Sequence, residues 1–350
     1  NFRSSSLLGS IFSTVDNSGI IVIYPNKGIS QIQEKQILSF TNNQAKAFAL
    51  EGNFDDAQNL VKKIFGESEF LAALKNKNVS SANSINIGRL IPQIVYYFYS
   101  YIKLVKNKSV KLHDKINFCV PTGNFGNILA GYFASCMGLP VKRLICASNI
   151  NNVLHDFFET GIYDKNRVLE LTNSPSMDIL ISSNLERLLY YISGKKPNKV
   201  RELMDKLSTV GRYQISSSMK RRMKIFERGY ADDKETLENI KEVFEKHQYL
   251  IDTHTAVGYK VYKDYQYRTN DNTKTVILST ASGFKFQDAV IEALGIKKGN
   301  SLVESLKSIS DYTKIKIPSS REKIANKEFI KNEISSKEAI DKIKKTIGDL

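Results

Sequence analysis

The chain has 350 residues, 41% hydrophobic and 10% aromatic, which is enough apolar mass for one large or two ordinary globular domains. No run approaches the roughly 18 apolar residues of a membrane helix. A net charge of +15 fits either a polyanion partner or a lysine-rich solvated surface; the basic residues are spread along the chain without a nucleic-acid signature, which favours the surface.

In chain order, Ile20 to Tyr24 is a continuous β-branched run ending at Pro25, the pattern of a buried parallel strand. A helix-like stretch follows at Ser30 to Ser39. Ala47 to Leu50 predicts a second strand, and Asn53 or Asp55 can cap a helix over Asp56 to Phe65. This rhythm marks an α/β fold with crossover helices. After the polar entry Ser81-Ala82-Asn83-Ser84-Ile85-Asn86, residues Leu90, Ile91, Ile94, Val95, Phe98 and Ile102 recur at helical spacing. Tyr96, Tyr97, Tyr99 and Tyr101 broaden that stripe, which predicts a helix buried on nearly every side, in a core or at a subunit contact.

Ile116 to Val120 predicts another buried strand. It breaks at Pro121-Thr122-Gly123-Asn124 and resumes as a helix over Phe125 to Met137. Gly123 and Gly126 allow a bound group to approach the backbone, and free N–H groups at a helix N-terminus favour an anion. The loop has no lysine and no Gly-x-Gly-x-x-Gly spacing, so it is neither a Walker A motif nor a dinucleotide fingerprint. Two readings stand: a phosphate held by backbone and by Asn124 and Asn127, or an ordinary βα turn whose glycines serve packing.

Arg143 to Ala147 predicts a strand and Val153 to Glu159 a helix. Ser174 to Ile192 reads as one long amphipathic helix, on which Asn184 and Arg187 share a face. Residues 195–247 are charged and helical in pattern and read as an insert outside the sheet. Tyr249 to Asp252 leads into a helix from Thr253 to Tyr265. Thr275 to Leu278 is the last clear strand and places Thr280 at its carboxyl end, where ligands sit in open α/β sheets. Residues 314–350 read as a lysine-rich helical tail. Cys119, Cys136 and Cys146, odd in number and without metal spacing, read as buried reduced thiols of a reducing, cytoplasmic compartment. His254 is the histidine in a suggestive context; with no second histidine at ligand spacing, no metal site is expected.

The blocks VPTGNFGNILAGYFA (120–134), LICASNINNVLHDFFETG (144–161), SPSMDILISSNLERLL (174–189), SSANSINIGRLIPQIVYYFY (80–99), EGNFDDAQ (51–58) and DTHTAVGYK (252–260) resemble threonine synthase in its longer, bacterial and fungal form. The resemblance implies a pyridoxal 5'-phosphate enzyme of fold type II, tryptophan synthase β-like: a three-layer α/β sheet with helices on both faces plus a helical insert. Its core is expected at 1–194 and 248–313, the insert at 195–247 and the tail at 314–350. It implies a carbon–oxygen lyase acting on phosphates, which converts O-phospho-L-homoserine and water to L-threonine and phosphate, the last step of threonine biosynthesis. It assigns the cofactor phosphate to Gly123, Asn124, Phe125, Gly126 and Asn127, and matches Thr280 to a hydroxyl near the pyridine nitrogen. Ser84, Asn86, Asn184 and Arg187 fall in blocks expected to meet the substrate phosphate.

The chain also departs from the family pattern. The family's catalytic lysine is expected N-terminal to the matched blocks, and no lysine of this chain fits its motif; Lys27 already follows the Ile20–Tyr24 strand. Asn1-Phe2-Arg3-Ser4-Ser5 stands where the family has Ser-Gly-Asp-Thr-Gly, and Ser282-Gly283-Phe284 replaces His-Pro-Ala. The expectation is an N-terminally truncated threonine synthase without its catalytic lysine. Two alternatives are a threonine synthase-like phospho-lyase or non-catalytic cofactor-binding homologue, and a basic nucleic-acid-binding protein.

Overall fold

The computed structural model describes residues 18–26, 29–52, 54–74, 79–80 and 86–350. In chain order its strands are β1 (Ile20–Pro25), β2 (Ala45–Leu50), β3 (Ile116–Pro121), β4 (Val141–Ser148), β5 (Ile162–Asp164), β6 (Arg212–Gln214), β7 (Phe226–Tyr230), β8 (Thr275–Ile277) and β9 (Glu333–Ile334). The chain divides into two compact units, one drawn from Asn1–Asn83 and Gly295–Leu350, the other Ser84–Leu294.

The first unit is built on a parallel sheet of order β1-β2-β9. Alternate residues of β2 face opposite ways, as the period of a strand requires. Ala47 and Ala49 pack with Tyr24, Ile37 and Leu38. Phe48 and Leu50 pack with Leu60 and Ile64, and with Ile334, Ala339 and Ile343 near the C-terminus. Ser30 closes a capping box with Gln33 at the start of the helix Gln31–Leu38. From that helix Lys35 donates to the carbonyls of Ala325 and Lys327 at 2.8 and 2.6 Å, satisfying the end of the helix Ser319–Ala325. Residues 314–350 therefore differ from the expected tail, because they supply β9, a helix, Ala339–Asp349, that packs on this sheet, and the helix Ser319–Ala325 held by Lys35. Asn53 and Lys27 lie outside the described residues, and Asp55 falls inside the helix Phe54–Gly66.

The second unit is organised by a parallel sheet of order β7-β4-β3-β8. One face, with Phe118, Val120, Leu144 and Cys146, packs on a cluster that includes Tyr97, Ile128, Leu129, Phe157 and Leu188. The other, with Cys119, Ile145 and Ala147, packs on Met177 and on Val257, Val261 and Tyr265 of the helix Thr253–Thr269. Helices on both faces of a parallel sheet give the three expected layers. The helix Gly126–Cys136 lies so close to the helix Ile94–Lys106 that a Cβ on Gly131 would stand 2.5 Å from the Tyr97 ring and 3.0 Å from Leu144. The Tyr97 ring meets Phe118 edge-on at 4.8 Å.

Several sequence expectations are corrected. Phe226–Tyr230, read as part of an insert outside the sheet, is the edge strand beside β4. Its charges disguised it: Glu227 pairs with Arg268 at 3.0 Å, and Arg228 with Glu159. The single helix from Ser174 to Ile192 is instead a 3₁₀ turn, Pro175–Met177, an irregular segment, and a helix only from Leu185 to Ile192. Asp178 causes the break. It is buried and accepts from Asn149, Asn151, the Thr172 N–H and the Thr172 hydroxyl, at 2.7 to 3.2 Å. The tyrosine-rich helix is buried on one side only: Tyr97 and Tyr101 are inside, whereas Val95, Tyr96, Tyr99 and Ile102 are exposed. Cys119 and Cys146 are buried, but Cys136 is exposed. Among the described residues no helix is long and apolar enough to cross a membrane.

The tight seat of Gly131 gives a direct prediction. Gly131→Ala overpacks the contact with Tyr97 and is expected to lower the unfolding free energy by about 1–3 kcal/mol in urea titration. An unchanged midpoint would show that Tyr97 and Leu144 yield without cost.

Candidate functional site

β3 is buried along its whole length and delivers Pro121 to the carboxyl edge of the sheet. The Thr122 N–H continues the ladder to Ala147 O at 2.8 Å. The chain then turns through Gly123 and Asn124 to Phe125, whose φ of 61° is left-handed, and enters the helix Gly126–Cys136 without a side-chain cap. A non-glycine residue at such an angle is sparsely populated and needs an anchor. Phe125 has one, since its ring is buried against Phe158 and Phe226 at 5.9 and 5.8 Å.

The turn is polar in an ordered way, with its carbonyls satisfied. Ser182 Oγ donates to Gly123 O at 2.8 Å, and the Asn184 N–H and Nδ2 donate to Asn124 O at 3.2 and 2.8 Å. Asn124 Oδ1 accepts from the Ser183 N–H at 3.4 Å, and Asn127 Oδ1 accepts from the Tyr97 hydroxyl at 2.9 Å. The donors remain available: among the described residues no acceptor stands against the N–H groups of Gly123 through Asn127, nor against the Asn124 and Asn127 NH2 groups. The arrangement is a set of fixed donors at a helix N-terminus, which suits an anion. The close approach is real: a Cβ on Gly123 would stand 2.5 Å from Ser176 O.

Asn184 is fully buried at the N-cap position of the helix Leu185–Ile192, with its Nδ2 3.6 Å from where a Gly126 Cβ would lie. Arg187 Nη1 donates to Asn184 Oδ1. Arg187 also lines a cavity of about 460 Å³ with Ile87, Ile91, Phe133, Glu186 and Tyr191 among its walls. The structure therefore brings Asn184 and Arg187 to the glycine loop. Asn86 is engaged differently, since its Oδ1 accepts from the Gly88 N–H at 2.8 Å and caps the helix Ile87–Leu90. Ser84 lies outside the described residues.

Thr280 reaches the site through a buried carboxylate that the sequence reading passed over. Asp252 is fully buried at the N-cap of the helix Thr253–Thr269. Its Oδ1 accepts from the His254 N–H and Nδ1 at 3.0 and 3.1 Å, and from Thr280 Oγ1 at 3.4 Å. Its Oδ2 accepts from the Thr255 hydroxyl and from the Ala281 N–H at 3.1 Å. Burial would push this carboxyl up, but the bonds from His254, Thr255 and Ala281 outweigh it and hold it at about 2. On the far side of the imidazole, His254 Nε2 accepts from the Ser176 N–H at 3.1 Å. Burial also pushes the His254 pKa down, consistent with a neutral ring. Only the N-cap role of Asp252 has a sequence signature; the donors Thr280 and Ala281 come from a chain segment distant in sequence.

The family described as "Threonine synthase, C-terminal" matches residues 255–330. Human threonine synthase-like 1 is 39% identical over 292 residues, covering 82% of this chain and 39% of its own length. Threonine synthase of Saccharomyces cerevisiae is 38% identical over 316 residues, covering 84% of this chain and 60% of its own length. The crystal structure of threonine synthase from yeast aligns with 100% of this chain and 68% of that one, at a TM-score of 0.80 and 31% identity. The chain belongs to the threonine synthase family. Its fold is accordingly the type II fold of that family. The X-ray structure of PLP-bound threonine synthase from Brucella melitensis matches at a TM-score of 0.77 and 34% identity, over 95% of this chain and 65% of that one. The chain spans 39% to 60% of the length of the two curated relatives.

The buried carboxylate sets a pH dependence. Its folded-state pKa of about 2 lies below the ordinary 3.8, so its contribution to stability is present above about pH 4 and is lost as the pH falls toward 2. Asp252→Asn is expected to lower the unfolding free energy by about 1–3 kcal/mol near pH 7. The gap to the parent chain should narrow below pH 4; a gap independent of pH would show that the carboxylate charge is not what holds these donors.

Proposed function

We propose that the protein is a pyridoxal 5'-phosphate-dependent threonine synthase, and that this chain holds the cofactor's phosphate on Gly123 to Asn127 and its ring side near Thr280. The reaction is conversion of O-phospho-L-homoserine and water to L-threonine and phosphate. The observation that carries the reading is the run of N–H groups from Gly123 to Asn127, open at the start of the helix Gly126–Cys136 while the Gly123 and Asn124 carbonyls are met by Ser182 and Asn184. A phosphate dianion meets such donors with charge-assisted bonds of roughly 1.5–3 kcal/mol each. The PLP-bound relative from Brucella melitensis supports the choice of ligand.

Pyridoxal 5'-phosphate, when bound, supplies an electron sink for proton removal and phosphate loss on the substrate. The chain's residues do the positioning. The loop fixes the phosphate end, Asn124 and Asn127 add side-chain donors, and Phe125 keeps the turn rigid through its buried ring. Thr280, oriented by Asp252, offers a neutral hydroxyl to the ring nitrogen. Arg187, held by Asn184 beside the loop, is a cation for the substrate's phosphate, with Asn86 and Ser84 as further polar groups of that block. The compartment we propose is the cytoplasm, consistent with free cysteines.

A second reading, a threonine synthase-like protein with altered turnover, draws on two observations. One is the 39% identity to human threonine synthase-like 1. The other is the Ser282-Gly283-Phe284 segment. A Cβ on Gly283 would stand 2.7 Å from Leu250 Cγ and 3.3 Å from Ile251 O, so this loop packs more closely than the family's His-Pro-Ala could. Release of phosphate from O-phospho-L-homoserine without threonine would favour it.

Binding of pyridoxal 5'-phosphate, followed by fluorescence, tests the assignment. Gly123→Ala, whose Cβ would strike Ser176 O at 2.5 Å, is expected to weaken binding by about tenfold or more. Gly126→Ala meets only Asn184 Nδ2 at 3.6 Å, so it should leave the unfolding midpoint in place and still weaken binding. Unchanged affinity in both variants would remove the loop from the cofactor site.

A further inference from the structure

The N-cap role of Asp252 is met by the His254 N–H alone, so the buried imidazole beside it has another task. His254 Nε2 accepts a backbone N–H, from Ser176 at 3.1 Å. A ring nitrogen that accepts cannot carry a proton, so the proton sits on Nδ1, where Asp252 Oδ1 takes it at 3.1 Å. Asp252 thus fixes the tautomer, and the tautomer fixes the turn Pro175–Met177 that contains Ser176. The same Ser176 presents its carbonyl to Gly123, at the place no Cβ could occupy. At the other end Asp252 holds Thr280 and the Ala281 N–H. Phe286 closes the ring from one side at 4.8 Å. One imidazole is therefore linked, through Ser176 on one side and Asp252 on the other, to the carboxyl ends of β3 and β8, the two places to which the phosphate and the ring of the cofactor are assigned.

We infer that His254 is a positioning residue that keeps the Gly123–Asn127 loop in register with Thr280; the inference rests on the reading of that loop as the cofactor's phosphate site. Its role is distinct from core packing, because it depends on which nitrogen accepts and not on the volume of the ring.

Two substitutions separate the bonds. His254→Asn keeps a donor near the Nδ1 position for Asp252 and has no atom to accept from Ser176. His254→Gln places an amide oxygen near the Nε2 position and gives up the Nδ1 bond. The readouts are imidazole 15N shifts, hydrogen exchange at the Ser176 amide, and affinity for pyridoxal 5'-phosphate against pyridoxal lacking the phosphate. The expected wild-type signature is a neutral, Nδ1-protonated ring. In His254→Asn, Ser176 should exchange about tenfold faster and the phosphorylated ligand bind about tenfold more weakly, with pyridoxal affected less than about twofold. His254→Gln should recover most of both losses. An Nε2-protonated or doubly protonated ring would overturn the inference. So would a His254→Asn protein whose Ser176 exchange and ligand preference match wild type. Should His254→Asn fail to fold, the wild-type tautomer and the His254→Gln preference still decide. Should wild type show no preference for the phosphorylated ligand, the phosphate-site reading fails, and Ser176 exchange alone tells whether His254 holds the turn.

Discussion

Removing a carboxylate from water costs several kcal/mol unless other donors replace the hydration it loses. Asp252 is fully buried, and the groups that satisfy it are the ones that shape the site: His254, Thr255, Thr280 and Ala281. The helix Thr253–Thr269 begins on this residue and packs its apolar side, Val257 and Val261, under the sheet. The chain after β8 arrives at the same carboxylate. Two segments that share no local sequence thus meet at one charge, and a third, carrying Ser176, joins them through His254, which makes their relative positions mutually dependent.

The glycine loop obeys a complementary constraint. Its peptide units are oriented by bonds on the carbonyl side, from Ser182 and Asn184, so that the N–H side is left to one external group. The segment that makes those bonds is itself pinned. Asp178, buried, gathers Asn149 and Asn151 from the end of β4 and Thr172 from the loop beyond. Burial pushes the Asp178 pKa up to about 6, which records how far this side chain is from water. The polar network is buried and satisfied, and such networks specify a single arrangement where apolar packing would tolerate several.

Much of this was legible in the sequence where the signal is local. The runs at Ile20–Pro25 and Ile116–Pro121 are β-branched or apolar and fully consistent with strands covered on one or both faces. The glycine loop stood out because strand, turn and helix follow without interruption. β7 did not, since an edge strand can carry Glu227 and Arg228 in ion pairs and so lose its apolar signature. β9 is two residues long and is defined by its neighbour β2, which lies far away in the chain. The break before Leu185 and the tie between His254 and Ser176 come from buried polar pairing. That pairing has no period to read, and the part Asp252 plays for Thr280 and Ala281 is hidden in the sequence for the same reason.

The central claim is that the N–H groups of Gly123 to Asn127 receive a phosphate. The most direct measurement is a 1H–15N correlation spectrum recorded while pyridoxal 5'-phosphate is added, and repeated with inorganic phosphate. The account predicts that the amides of Gly123, Asn124, Phe125, Gly126 and Asn127 shift together, ahead of amides elsewhere in the sheet. Shifts confined to other residues, with this run of amides unmoved at saturation, would contradict it.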